Sequence, residues 1–217
     1  MTFPTELHAV QSARWPQTGR HILAQCGELD GQPTIVVYQA YRPDIAEYAV
    51  QHGYFGGPYS FSRMSWVKPN FLWMMSRCGW ATKPDQERVL ALTVARARFD
   101  RWLMGAVPSS PGTSGMDEAQ WRSALTASDV RLQWDPDHAP DGRPLPRRAV
   151  QLGLRGRTLA EFGRPMGEGG ALLRLEDITD FVQGQRANLG QPQCLLTPRE
   201  EVYRPEDSEL AARLGLD

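Results

Sequence analysis

The clearest pattern of apolar positions in the first part of the chain is the run from Thr34 to Tyr41. This run is β-branched and aromatic, lies between two prolines, and predicts a strand. Asp44 to His52 follows with apolar residues at helical spacing, and Gly53 is suited to end the helix that this spacing predicts. The strand becomes polar at its end, which indicates that it leaves the core at a binding site.

The longest apolar stretch runs from Ser65 to Trp80. Pro69 suits the first turn of a helix and Gly79 suits its C-terminal end, so a helix is predicted between them. Apolar residues cover most of its circumference, which predicts a buried central helix. Lys68 lies at its N-terminal end, where the dipole disfavours a cation. Exposed helix amides next to a cation predict an anion site there, for example for a phosphate.

The remaining pattern mixes strands and helices without a regular alternation. Strands are predicted at 87–95, 130–134 and 147–154 and helices at 99–103, 117–125, 158–162, 175–182 and 208–214, with a loop at 135–146 and an aromatic, glycine-rich loop at 54–62. The absence of a βαβ rhythm favours an α+β fold over a doubly wound sheet.

Composition and length indicate one globular domain. The chain has 217 residues, of which 41% are hydrophobic and 23% charged, and this is enough for a full core. We expect a flexible N-terminal arm at 1–19, a single domain at 20–185 and a C-terminal extension at 186–217 that packs on the domain. The formal net charge of −1 gives no bulk basic field for nucleic acid, although a local basic patch is compatible with it.

The cysteines and the missing motifs argue against several classes of protein. Cys26, Cys78 and Cys194 are far apart and odd in number, which argues for a reducing compartment. No apolar run reaches the length of a membrane span, and the N-terminus lacks a signal-peptide pattern, so we expect a cytoplasmic protein without a membrane partner. The sequence has no P-loop, no Rossmann fingerprint, no nucleophile elbow and no zinc-ligand spacing, and we expect no metal.

A set of polar and aromatic residues lies around the predicted cleft. The polar members are Gln39, Tyr41, Arg42, Arg63, Ser65, Lys68, Arg147, Arg148 and Gln151, and the aromatic members are Tyr38, Tyr41, Tyr54, Tyr59 and Trp66. Cations that neutralise a pyrophosphate and flat rings that stack on a base suit a nucleotide-like small molecule. The alternative for each residue is that the aromatics belong to the core and the arginines are solvated.

Several blocks resemble a known family. The run Lys-Pro-Asn-Phe-Leu-Trp-Met-Met at 68–75 resembles the signature of domain-of-unknown-function family 4291. The blocks at 36–41, 79–83, 133–136 and 150–154 resemble that family's further blocks, in the same order. The resemblance covers roughly residues 20 to 185 and implies membership, but it brings no function with it.

A second, more distant resemblance concerns the strand and helix at 34–55, which look like the opening of the ADP-ribosyltransferase fold. It implies a split sheet around a cleft that binds NAD as substrate. Gln39 would take the position that holds the adenosine side, Ser65 the position that supports nicotinamide, and Gln151 the late-strand position that holds the ribose. Tyr38, Tyr41, Arg42, Arg63 and Trp66 would line the NAD site, with Lys68 and Arg148 at the pyrophosphate.

Two departures from that pattern matter chemically. Gln39 replaces a basic or imidazole side chain, and Gln151 replaces a carboxylate. Cleaving the bond between nicotinamide and ribose builds positive charge on the ribose, which a carboxylate stabilises and a neutral amide does not. An active enzyme of this kind therefore needs another carboxylate, for which Glu87, Asp135 and Glu161 are the candidates.

Three hypotheses follow. An ADP-ribosyltransferase-like enzyme, with a protein, nucleic acid or small molecule as acceptor, predicts that Gln39, Ser65, Lys68 and Gln151 converge in one pocket. A protein that binds or processes single-stranded nucleic acid predicts an open basic groove. A non-catalytic domain that binds a peptide or a metabolite predicts only an apolar patch.

Overall fold

The computed structural model describes residues 4–217, so residues 1–3 of the predicted N-terminal arm lie outside the described residues. The strands in this part of the chain are β1 (Thr5–Leu7), β2 (Ile22–Ala24), β3 (Cys26–Leu29), β4 (Gln32–Tyr41), β5 (Ser65–Val67), β6 (Arg88–Ala95), β7 (Ala106–Pro108), β8 (Val130–His138), β9 (Pro144–Leu154), β10 (Leu172–Asp177), β11 (Leu196–Pro198) and β12 (Glu201–Tyr203). The α-helices are α1 (His8–Ser12), α2 (Pro43–His52), α3 (Phe71–Cys78), α4 (Arg96–Gly105), α5 (Glu118–Ala127), α6 (Gly156–Gly163), α7 (Thr179–Arg186) and α8 (Ser208–Leu214).

Two four-stranded sheets form the body of the fold. One has the order β10-β6-β4-β3 and is antiparallel, and the other has the order β5-β9-β8-β7, in which only β7 and β8 are parallel. Two short two-stranded sheets, β1-β11 and β12-β2, tie the ends of the chain to this body. The α+β class predicted from the sequence is therefore confirmed.

The two large sheets meet at one backbone bridge. The amide of Tyr38 in β4 donates to the carbonyl of Lys68 at 2.7 Å, and the amide of Lys68 donates to the carbonyl of Tyr38 at 3.2 Å. Beyond this bridge β4 continues to Tyr41 along β6, while β5 pairs with β9. The strands therefore diverge, and a cleft opens between the two sheets.

Helix α3 is buried as predicted, but its start differs from the prediction. Asn70 caps it, since its Oδ1 accepts from the amide of Trp73 at 2.6 Å, and Pro69 precedes the helix instead of forming its first turn. Gly79 ends it in the left-handed conformation, as predicted. Glu200 occupies the N-terminal end, where its Oε1 accepts from the amide of Phe71 at 2.6 Å. The predicted anion site is thus filled by a side chain of the protein itself, the carboxyl group of Glu200.

Two other boundaries also differ from the prediction. The loop predicted at 135–146 is largely strand, because β8 continues to His138 and β9 already begins at Pro144. The helix predicted at 175–182 is divided, because β10 runs to Asp177 along the edge of β6 and α7 begins only at Thr179. In both places pairing with a neighbouring strand decided the local conformation, which a single-sequence pattern does not contain.

The core lies on both faces of the β10-β6-β4-β3 sheet. Ile35 and Val37 of β4 face a cluster that includes α2 and α4, whereas Val36 and Tyr38 face a cluster with α3 and α7. Alternation along the strand places successive side chains of β4 in different clusters. In the part of the chain that is described, no helix has the length and apolar character needed to cross a membrane.

The described residues of the predicted N-terminal arm contact the C-terminal extension. Gln11 is fully buried, donates to Thr197 Oγ1 and the carbonyl of Pro198, and accepts from the amide of Glu200. The indole of Trp15 donates to the carbonyl of Glu200 at 3.2 Å. In α8, Leu210 and Leu214 join the main core.

Glu200 makes the stability of the fold depend on pH. Burial raises the pKa of its carboxyl to about 8, against a reference value of 4.5. The folded protein thus keeps a proton that the unfolded chain loses between these values. This contribution to stability is complete below about pH 4.5 and is lost as the pH rises through about 8. Between these two pH values we expect the free energy of unfolding to fall by up to about 1.4 kcal/mol per pH unit. Glu200→Gln should remove this dependence on pH.

Urea unfolding of the wild type and of Glu200→Gln at a series of pH values measures this contribution. Glu201→Gln, at the exposed neighbouring position, is the matched control and should keep the wild-type slope. A difference in free energy of unfolding between wild type and Glu200→Gln that does not change with pH would contradict the assignment.

Candidate functional site

The cleft between the two sheets has a volume of about 620 Å³. Five parts of the chain bound it: the end of β4, the start of α2, the segment from Tyr59 to Lys68, helix α3 and the β8–β9 pair. Its lining is mainly polar: Gln39, Ala40, Tyr41, Arg42, Ile45, Tyr59, Ser60, Arg63, Met64, Ser65, Trp66, Lys68, Met74, Arg77, Asp85, Gln86, Gln133 and Gln151. Loop 54–62 was predicted to fold over the cleft, and Tyr59 and Ser60 from it do line the cleft.

Gln39 joins the two walls at the base of the cleft. Its Nε2 donates to Ser65 Oγ at 2.7 Å and to the carbonyl of Trp66 at 3.1 Å. A carbonyl can only accept, so this contact fixes which amide atom is the nitrogen. The other atom, Oε1, is buried and has no hydrogen-bond partner in the described structure, and the whole residue is only 3% exposed. A buried acceptor without a partner is costly, and a ligand in the cleft that donates a hydrogen bond would remove this cost.

Ser65 connects this amide to Tyr41. The Tyr41 hydroxyl lies 3.0 Å from Ser65 Oγ, and burial raises the pKa of Tyr41 well above its ordinary value. Both hydroxyls therefore stay protonated at neutral pH and act as hydrogen-bonding groups. The three side chains at the ends of β4 and β5 form a chain of hydrogen bonds along the base of the cleft.

Lys68 supplies a buried cation. Its residue is 4% exposed, and its ammonium makes no hydrogen bond or ion pair with any residue in 4–217. Its pKa is lowered from 10.5 to about 8, mainly by burial and to a smaller extent by the charge of Arg77, while the charge of Asp135 acts in the opposite direction. A desolvated cation without a partner is unfavourable in a structural role, because buried charges are normally paired.

A carboxylate lies behind the amides of Gln133 and Gln151, which line the cleft on the β8–β9 side. Asp135 in β8 accepts from Gln133 Nε2 at 2.8 Å and from Gln151 Nε2 at 2.7 Å. The strand register sets Gln133 directly opposite Gln151, and Asp135 lies two residues along on the same face of β8. Both carboxylate oxygens are thus oriented by amides that line the cleft.

The mouth of the cleft is positively charged. Arg42, Arg63 and Arg77 are exposed there, and Asp85 is the one carboxylate among the described lining residues. Arg42 is paired with Asp44 at 2.7 Å, whereas the guanidinium groups of Arg63 and Arg77 make no hydrogen bond or ion pair with the described residues. Together with Lys68 they form a positive region in a chain whose net charge is −1.

Two of the predicted site residues do not enter the cleft. Tyr38 is fully buried on the other face of β4, where its hydroxyl donates to Gln25 Oε1 at 3.3 Å and its ring packs on Phe71. Arg148 is exposed and lines a different cavity. Side chains an odd number of residues apart in a strand point to opposite faces of the sheet. Tyr38 is one residue from Gln39 and Arg148 is three from Gln151, so both lie on the face away from the cleft. The other predicted residues, Gln39, Tyr41, Arg42, Arg63, Ser65, Trp66, Lys68 and Gln151, all line it.

Two alternative carboxylates and one further arginine lie elsewhere. Glu161 pairs with Arg98 at 2.8 Å between α6 and α4. Glu87 does not line the cleft, and its Oε1 accepts from the backbone amide of Asp85. Arg147 forms a buried ion pair with Asp137 at 2.5 Å. Of the three carboxylates considered from the sequence, Asp135 is the one hydrogen-bonded to residues of the cleft.

Sequence reasoning missed Gln133 and Arg77 as cleft residues. The spacing of Gln133 and Asp135 contains a signal, since residues two apart in a strand share a face, but residue 135 was predicted to lie in a loop. Arg77 lies in the last turn of α3, and its position at the cleft depends on how that helix packs.

The arrangement suits an anionic ligand with hydrogen-bond donors. Lys68 and the arginines at the mouth can neutralise phosphate groups, Gln39 can accept from the ligand, and Asp135 places a negative charge behind the amides of Gln133 and Gln151. Residues 4–217 hold no group of three or more His, Cys, Asp or Glu side chains placed to bind a metal ion.

Comparison with known proteins gives one match. A family model described as "Domain of unknown function (DUF4291)" matches residues 21–203, which is most of the chain and confirms the family expected from the sequence. Comparison with curated proteins finds no match.

If Lys68 is kept for binding and not for folding, its removal should stabilise the protein. At pH 7 the folded state must hold the buried ammonium charged, because its pKa of about 8 is still above the pH. We expect Lys68→Met to raise the free energy of unfolding by about 1–3 kcal/mol at pH 7.

The increase in free energy of unfolding caused by Lys68→Met should become smaller as the pH rises from about 8 to 10.5. Over that range the folded wild type has lost a proton that its unfolded chain still holds, so the wild type becomes more stable. Urea unfolding at pH 7 and pH 10 (roughly the two ends of this range) provides the measurement, with Lys83→Met at an exposed position as control. A clear loss of stability in Lys68→Met at pH 7 would show that the lysine is structural.

Proposed function

The chain belongs to the DUF4291 family, described as a domain of unknown function, and from the cleft we propose that it is an ADP-ribosyltransferase-like enzyme. In this proposal the cleft binds NAD as substrate and the protein transfers ADP-ribose to an acceptor. The acceptor is a protein, a nucleic acid or a small molecule. The reaction takes place in the cytoplasm, as the cysteine content suggests.

One observation carries the proposal. Gln39, Ser65, Lys68 and Gln151, which come from three separate segments of the chain, line the same cleft. This convergence is what the enzyme hypothesis requires. The mainly polar lining disfavours a simple apolar binding patch, and the enclosed base at Gln39 and Lys68 disfavours an open groove.

The charges and hydrogen-bonding groups of the cleft suggest which part of NAD each side would contact. Lys68, with Arg77 near it, would bind the pyrophosphate, because a desolvated cation without a partner gains most from an anion. Gln39 would accept a hydrogen bond at its unpartnered Oε1 from an N–H or O–H of the substrate. Trp66 and Tyr59 offer aromatic surface in the same cleft.

Asp135 supplies the negative charge that Gln151 cannot. When the bond between nicotinamide and ribose breaks, its electron pair leaves with nicotinamide and positive charge builds on the ribose. A fixed carboxylate near that charge stabilises the transition state more than the ground state. Gln133 and Gln151 hold both oxygens of Asp135 in place, so the group needs little reorganisation during the reaction. The acceptor then bonds to the ribose carbon and releases its proton.

The exposed arginines support a second candidate, a protein that binds single-stranded nucleic acid. Arg63 and Arg77 lie at the mouth without ion-pair partners among the described residues, and Phe61, two residues before Arg63, is 44% exposed. Guanidinium groups and an exposed ring can follow a phosphate backbone and stack on a base. Binding of this kind would weaken steeply with salt.

The test is release of nicotinamide from NAD, followed with the protein alone and with RNA, DNA or cell lysate. Asp135→Asn keeps the shape of the side chain and removes its charge, and we expect kcat to fall by about 100-fold or more with a small change in KM. Lys68→Met should instead raise KM. Asp141→Asn, in the exposed β8–β9 turn, is the matched control and should behave as the wild type.

No release under any condition, together with no thermal shift of the wild type by NAD, would reject the enzyme. Release that Asp135→Asn leaves intact would reject the catalytic role of Asp135. In the first case, binding of a single-stranded oligonucleotide over a salt series then tests the second candidate.

A further inference from the structure

A second cavity lies on the reverse side of the β8–β9 pair. It has a volume of about 460 Å³ and is bounded by β8, the loop after β7, the bridge near Arg20 and the end of α8. Leu132 and Trp134 of β8 line it, whereas Asp135 of the same strand turns its carboxylate to the amides of the cleft. Gln133 lines both cavities, so the two adjoin at strand β8.

Arginines dominate the charge of this cavity. Arg20, Arg148 and Arg213 line it, and no carboxylate does so among the described residues. Arg20 and Arg148 are neighbours through a backbone bridge, and the guanidinium groups of both make no hydrogen bond or ion pair with residues in 4–217. An anion that binds both guanidinium groups would neutralise these unpaired charges.

The backbone around Arg20 makes room for its guanidinium. A side chain at Gly215 would come within 2.6 Å of Arg20 Nη1, and Gly215 has a φ of +65°. Asp217, the nearest carboxylate, bonds through Oδ2 to the backbone amide of Arg20 at 2.7 Å and does not line the cavity. Arg213 is held by the carbonyls of Leu103 and Met104, which fixes the third cation at the rim.

An unpartnered donor points to a ligand independently of the charges. The indole Nε1 of Trp134 is buried and has no hydrogen-bond partner in the described structure. An indole N–H can only donate, so the group that completes this site must be an acceptor. An oxyanion would accept from Trp134 and from the arginines together.

We propose that this cavity is a second anion site that binds a phosphomonoester, with Arg20, Arg148 and the indole N–H of Trp134 as its main contacts. Guanidinium groups match the oxygens of a phosphate in fork geometry. The cavity is larger than one phosphate needs, so the ester's organic group would enter it as well. The phosphate could belong to a small molecule or to the phosphorylated end of an oligonucleotide. This site does not depend on the function proposed for the cleft.

Titration of the ¹⁵N-labelled full chain with inorganic phosphate tests the site, at constant ionic strength adjusted with sodium chloride. The readout is the indole N–H resonance of Trp134, identified by its absence in Trp134→Phe. We expect a saturable shift, at least about tenfold weaker binding in Arg148→Ala, and unchanged binding in Arg143→Ala, an exposed arginine of the same hairpin. Lys68→Met should also bind normally, which separates this site from the cleft.

Phenyl phosphate and a trinucleotide with or without a 5′-phosphate then identify the source of the phosphate. Tighter binding of phenyl phosphate than of inorganic phosphate supports a small phosphate ester as the ligand. Tighter binding of the phosphorylated trinucleotide than of its unphosphorylated form supports the end of a nucleic acid. A Trp134 resonance that phosphate leaves unmoved in the wild type overturns the proposal. Equal affinity of Arg148→Ala and wild type overturns it too.

Discussion

The backbone bridge between Tyr38 and Lys68 is the contact on which the cleft depends. It is the point at which the two large sheets touch through paired amides and carbonyls, and past it β4 and β5 follow different neighbours. The gap between them is closed at its base by the hydrogen bond from Gln39 to Ser65. Lys68 has two roles here, because its backbone joins the sheets and its ammonium enters the cleft.

Two buried cations, Arg147 and Lys68, are compensated in opposite ways. Arg147 is paired with Asp137, donates to the carbonyl of Pro16, and lies over the ring of Trp15 at 5.4 Å, so all of its contacts come from the protein. Lys68 is equally buried and has no such partner among the described residues. Burial of a charge requires compensation. For Arg147 that compensation is internal, and for Lys68 we infer that it comes from a ligand.

Strands β8 and β9 give the molecule two chemically distinct faces. Gln133, Asp135 and Gln151 form a hydrogen-bonded group on the cleft side, and Trp134 and Arg148 line the cavity behind it. A one-residue change in register would exchange these sets, since side chains alternate across a strand. The long pairing of the two strands, from Val130 opposite Leu154 to His138 opposite Pro144, fixes both faces at once.

The sequence by itself determined the family, the α+β class, the buried helix α3 with its end at Gly79, and eight of the ten predicted residues around the cleft. These features depend on local periodicity, caps and short motifs, which adjacent residues encode. Only the tertiary structure decided that Glu200 fills the N-terminus of α3 and that Asp135 belongs with Gln151. It also decided that Lys68 has no partner in the described chain. Such facts depend on strand register and on contacts between distant segments, and no pattern of neighbouring residues contains them.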